Sequence, residues 1–151
     1  MYTFMLVVHV LAAIALLGPT FLLPALPKLV GSPSPHPVLQ VVGHIEQRVT
    51  AFAVVQLVTG LGLIFTDELE YVRSDFLGQW WLWSSMALFV IAAGIGTGFN
   101  APRVRKAVAA SAAGNSAEAE ELLAPIDKVT GPILGVMATV IIVLMVWQPS
   151  A

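Results

Sequence analysis

Cysteine is absent from the sequence, which removes disulfides, thiolate metal sites and cysteine nucleophiles and leaves histidine, methionine and carboxylates as the only strong ligands. Charge is scarce as well: Asp, Glu, Lys and Arg make up 11% of the 151 residues, against roughly 25% in a soluble domain. A net charge of -2 with no basic face excludes a nucleic-acid partner. The chain also lacks a hydrolytic triad, a phosphate-binding glycine loop and a carboxylate pair inside an apolar stretch, so hydrolase and kinase chemistry are set aside.

Hydrophobic residues fill the chain instead. They make up 58% of it, with a mean hydropathy of +0.87, the composition of an integral membrane protein whose first partner is the lipid bilayer. Runs of more than about 18 apolar residues read as spanning helices. The sequence predicts four, over about 2–24, 38–66, 78–106 and 117–148, in one integral membrane domain. The first lacks a basic leader and an A-x-A-like cleavage site, so it reads as a retained helix. Gly18-Pro19 interrupts it and Pro24 and Pro27 end or kink it, since proline removes a donor and clashes with the preceding turn. The breaker-rich stretch from Lys28 to Pro37, which contains His36, follows as a loop, and the second helix starts near Val38. Residues 67–75 form an acidic connection. Trp80, Trp81 and Trp83 then suit headgroup depth, where amphipathic rings collect. Ser116 is the expected cap of the fourth helix, with acids following in its first turn.

Short connections give the expected fold: all-α, an up-down four-transmembrane-helix bundle. Gly94-x-x-x-Gly98 offers a close-approach face for a neighbouring helix, and the small core makes a homo-oligomer the expected assembly. Lys28, Arg48, Arg103, Arg105 and Lys106 share one side of such a bundle. The positive-inside bias places that side in the cytoplasm, which puts both termini outside a bacterial inner membrane.

An ionisable group within a span is a functional-site candidate by default, and His9 lies in the first. Met1, Met5 and His9 follow at spacings of four on one stripe. Thioether sulfur and imidazole suit Cu(I), so Met5 and His9 are candidate copper ligands. A methionine four residues before a histidine is also a common coincidence in an apolar helix. A neutral imidazole in a span equally suits a haem iron, with Met137 or Met145 as a second axial ligand, or a plain hydrogen bond across the bundle.

In the second helix Gln40, His44, Arg48 and Gln56 recur at multiples of four and are expected to form a stripe on one face. His44, Glu46 and Arg48 are candidate cofactor contacts, Arg48 through bidentate binding of a haem propionate, or else headgroup-level residues with Arg48 snorkelling to phosphates. Asp127 and Lys128 read as headgroup-level charges. At about 1.5 Å per residue across a core of about 30 Å, His9 and His44 lie roughly 25 Å apart along the membrane normal and cannot hold one iron.

The pattern resembles a known group. His9 followed by Gly18-Pro19-Thr-Phe-Leu-Leu-Pro24, then Glu46-Gln47-Arg48, Trp81-Leu-Trp83 with a basic exit, and Pro132 with a closing Val146-Trp147-Gln148-Pro149, is similar to the four-helix HemJ-type protoporphyrinogen oxidases. It also resembles the related CopD-like copper-resistance membrane domains and a group of bacterial integral membrane proteins related to both. The resemblance implies haem b on His9 and a cofactor role for Glu46 and Arg48. It implies a redox, electron-transfer or small-molecule sensing role with a membrane redox partner, the alternatives being copper binding or transport and a structural subunit of a membrane complex. Ser85 falls where the family has a lysine, and Thr130 where it has an acid two residues before the proline. Its span-three histidine has no counterpart, which leaves open whether the chain is an oxidoreductase.

Overall fold

The computed structural model describes residues 1–22, 35–65 and 78–147, and among them every regular element is a helix. Helix α1 is Tyr2–Leu22 and α2 is Pro35–Ile64. Helices α3, Trp80–Ala112, and α4, Ser116–Trp147, each continue through a short π-helical segment. Leu39–Ile64 within α2, and the whole of α3 and α4, are long and apolar enough to cross a membrane; α1 is apolar over the shorter stretch Tyr2–Gly18.

Contacts fix an up-down order. Met5 and His9 of α1 lie against Gly62 and Gly60 of α2, so that pair runs antiparallel. Near its start α2 packs Gly43 on Val108, and at its end Ile64 joins Trp81 and Leu82, so α2 and α3 are antiparallel too. Thr130 meets Asn100 while Leu144 and Met145 reach the Trp81 cluster, which reverses α4 against α3. Helix α1 also touches α4.

Boundaries shift from the sequence expectation for local reasons. Helix α1 runs unbroken through Gly18-Pro19; neighbouring helices and nearby side chains re-satisfy the backbone groups that a proline frees in an apolar helix. Helix α2 begins at Pro35, so His36 and Pro37 belong to its first turn, where proline removes only a donor that has no helical partner anyway. The acidic connection 67–75 and Gln148-Pro149 lie outside the described residues.

Helix α3 passes its basic cluster and ends at Ala112, before Gly114 at φ +79 turns the chain into α4. Asn115, not Ser116, caps α4: its Oδ1 accepts from the Glu118 backbone N–H at 3.2 Å and its Nδ2 donates to the Glu118 carboxylate at 2.9 Å. Position three after the cap is where a reciprocal capping pair needs its acid, and only Asn115 has one there. Asn115→Ala is expected to cost about 1 kcal/mol, read as a lowered unfolding midpoint in detergent with the helical content unchanged.

The densest packing lies toward this hairpin, where Leu39, Val104, Ala107, Ala119, Leu123 and Ile126 are buried together. Alanines at 107, 110 and 119 let the backbones approach, while Arg105, Lys106, Glu118, Glu120 and Glu121 stay exposed. Of the three tryptophans, Trp80 and Trp83 are exposed, as a headgroup position requires, but Trp81 is 3% exposed and forms the core of the opposite end. A run of adjacent helical residues cannot share one face, so one ring of the set must turn inward.

The two π segments, Ile95–Asn100 and Ile126–Thr130, share one cause. Each ends two residues before a proline, Pro102 and Pro132. A proline cannot donate to the carbonyl four residues back, and a local shift to wider hydrogen bonding absorbs the break. The two widened turns meet, and there the Thr130 hydroxyl donates to Asn100 Oδ1 at 2.7 Å.

Candidate functional site: a histidine clasped between the first two helices

His9 points from α1 into α2 and both of its ring nitrogens are engaged. Thr59 Oγ1 lies 3.0 Å from Nδ1, and Gln56 Nε2 lies 2.9 Å from Nε2. The tautomer follows from the third bond. The Thr59 hydroxyl donates to the Val55 carbonyl at 2.7 Å, an intrahelical bond one turn back, so its oxygen receives from His9 and the ring proton sits on Nδ1. Nε2 then carries the lone pair and accepts from the Gln56 amide.

Close approach of the two helices makes this possible. A Cβ at Gly60 would stand 3.1 Å from His9 Cε1, and one at Gly62 would collide with the terminal methyl of Met5. Glycine at these two positions is the small-residue device that lets membrane helices touch. Gln56 is only partly satisfied: its Oε1 is buried without a hydrogen-bond partner.

Met5 and His9 therefore share the stripe that faces α2, as their spacing predicts. Met5 occupies its place by packing, with its methyl end on Gly62. Among the described residues no group of three or more His, Asp or Glu converges as a metal site. Met145, half-buried, packs on the Ile64, Trp81 and Leu82 cluster, and Met137 is half-buried on α4.

The second-helix stripe separates. His44 is exposed and its Nδ1–H donates to the Gln40 carbonyl at 2.8 Å within its own helix. Arg48 is exposed; the Glu46 side chain lies outside the described residues. Gln56 alone turns to His9. A step of four residues overshoots a helical repeat of 3.6 by about 40°, and four such steps carry Gln56 nearly to the opposite face from Gln40. His44 and His9 stay apart, because twelve residues between His44 and Gln56 amount to about 18 Å of helix.

Thr59 and Gly60 escaped the sequence reading, though Gln56, Thr59 and Gly60 fall at i, i+3 and i+4, the spacing of one helix face. Asn100 escaped it as well, and Thr130 entered it only as the residue standing where the resembled family has an acid. Their signal is a repeated pattern, Asn100-Ala-Pro102 and Thr130-Gly-Pro132.

No known protein family, curated protein or solved structure matches this chain. Fold and site together define a class: a small all-helical protein with three helices long and apolar enough to cross a membrane and one histidine clasped between its first two helices.

Proposed function

We propose that this chain is a four-span protein of a bacterial inner membrane, basic side inward and termini outside, that binds haem b through His9 and serves a redox or small-molecule sensing role. The observation that carries the reading is the tautomer. With Nδ1–H fixed on Thr59, and Thr59 fixed on Val55, the lone pair of His9 is on Nε2, where the Gln56 amide now donates to it, and an N–H anchored opposite the lone-pair nitrogen is the arrangement in which histidine ligates metals. Gln56 covers that lone pair through one hydrogen bond while its own Oε1 stays unpaired, so withdrawing the amide breaks one bond and frees an acceptor to find a donor.

The donor set favours haem over copper. A haem asks the protein for one axial nitrogen, which a lone histidine among apolar side chains supplies, whereas Cu(I) needs two or three soft donors and Met5 is seated on Gly62. Bound haem would supply one-electron chemistry or the capacity to take up a small ligand. Within the protein, Thr59 orients the ring, Gln56 guards Nε2, and the exposed Arg48, two turns back along α2, offers a guanidinium to a carboxylate.

Protein purified in detergent from haem-replete cells is expected to show a Soret band and a reduced-minus-oxidised difference spectrum. His9→Ala loses both, and Gln56→Ala keeps them. A colourless wild type overturns the reading and leaves His9 as a helix-to-helix clasp.

A further inference from the structure

Arg103 stands where α3 leaves its apolar stretch, and its side chain is turned back along the helix rather than out. The guanidinium carbon lies 3.4 Å from the centre of the Phe99 ring, and Nη1 donates to the Phe99 carbonyl at 3.1 Å. A long basic side chain at a membrane boundary ordinarily extends toward water. Side chains on a helix lean toward its N-terminus, however, and in α3 that direction leads into the bilayer, where the face of Phe99 holds the cation. Arg103 is half-buried, and a bond to one carbonyl leaves the rest of its N–H fork unused. Lys106 follows one turn on and is exposed. Phe99, Arg103 and Lys106 fall at i, i+4 and i+7, one face of the helix, and among the described residues neither cation forms an ion pair.

Depth says what such a fork meets. Trp80 and Trp83, both exposed, suit the outer headgroup level. From Trp80 to Phe99, beside which the guanidinium lies, the helix covers roughly 28 Å at about 1.5 Å per residue, against a hydrocarbon core of about 30 Å. The fork therefore reaches the inner boundary, where lipid phosphates begin.

We propose that Phe99, Arg103 and Lys106 form a docking site for an acidic phospholipid of the inner leaflet, with the lipid phosphate on the Arg103 fork. The site depends on the proposed membrane spans and not on haem. Guanidinium and phosphate match through parallel charge-assisted hydrogen bonds. Ring stacking and the carbonyl bond fix the fork before a lipid arrives, so little side-chain freedom is left to lose on binding. Arg103 alone would accept any phosphodiester. Lys106 supplies the choice: set one turn further toward the headgroup, its ammonium repels the choline of a zwitterionic lipid but not the uncharged glycerol of phosphatidylglycerol.

The test places the full-length protein in nanodiscs of mixed phosphatidylglycerol and phosphatidylcholine and counts the lipids it retains by native mass spectrometry. Wild type is expected to retain phosphatidylglycerol at least fivefold above its share of the mixture. Arg103→Gln and Lys106→Gln each lower that enrichment, and the double variant brings it to about unity. Arg103→Lys, which keeps the charge and loses the fork, retains less than half of it. Arg105→Gln is the control: it removes the same charge, but position 105 lies about 200° round the helix from position 103, so the enrichment persists. No enrichment in wild type, or a loss on Arg105→Gln as large as on Arg103→Gln, overturns the assignment. A chain that does not enter nanodiscs overturns the membrane-spanning reading and this site with it, whereas the Soret band bears on His9 alone.

Discussion

Gly60→Val is expected to destabilise the folded protein by about 3 kcal/mol, the combined effect of overpacking a close helix contact and breaking the hydrogen bonds that the contact holds in place. Already at alanine the new Cβ stands 3.1 Å from His9 Cε1, and the two methyl groups of valine reach further toward the ring. His9 cannot step aside cheaply, because Thr59 and Gln56 hold its two nitrogens at 3.0 and 2.9 Å. Gly62 offers the internal comparison. A Cβ there meets Met5 even more closely, but the atom it meets is the end of a flexible side chain, which can rotate away. Gly62→Ala is therefore expected to cost less than Gly60→Val although its first clash is worse. Thermal unfolding in detergent, followed by circular dichroism, ranks the two; a Gly60→Val protein as stable as wild type would mean that α1 and α2 do not meet as described.

The contrast between these glycines shows what was legible in the sequence. Hydropathy located the four helices, three of them long and apolar enough to cross a bilayer and the first apolar over a shorter stretch, and the lone imidazole at position 9 stood out against it. What that imidazole touches was not legible. Periodicity carried over one or two turns is reliable, which is why Met5 and His9 do share a face. Carried over sixteen residues it drifts through nearly half a turn, which is why Gln56 leaves the line of Gln40, His44 and Arg48. Small-residue patterns mislead for a related reason. Gly94 and Gly98 satisfy the familiar spacing, yet a Cβ at either meets nothing within 4 Å; the close contacts are at Gly43, Gly60 and Gly62. Which glycine faces a neighbour depends on the rotation of each helix, and composition does not encode that.

The polar interior followed a different logic. Asn100 and Thr130 each precede a proline by two residues, so each stands where its helix has lost a regular hydrogen bond. The same irregularity widens both helices at one level and brings the two side chains to 2.7 Å. A pair of Asn/Thr-small-Pro sequences in antiparallel neighbours is readable in retrospect, but only the topology says that they fall at the same height.

The last expected result concerns the clasp as a unit. Gln56→Leu leaves the Nε2 lone pair of His9 without its donor in an apolar surrounding, and is expected to cost about 1–2 kcal/mol. His9→Phe does the reverse, stranding the Gln56 amide whose Oε1 is already unpaired, at a similar cost. The double variant His9→Phe/Gln56→Leu removes both halves, so its loss should fall below that of either single change: burying a mismatched polar group is what costs, and two apolar side chains across a close contact have nothing to satisfy. His9→Phe also removes the Nδ1–H bond to Thr59, but that loss is common to the single and the double variant and cancels in the cycle, while Thr59 keeps its bond to Val55 throughout. Additive single effects would show that the Gln56 to His9 bond contributes nothing. A coupling of about 1 kcal/mol or more would establish that the two residues act as one polar unit across the α1–α2 contact. It also sets a scale for the haem reading: a ligand that takes Nε2 has to displace Gln56, and the coupling energy measures how firmly that amide is held.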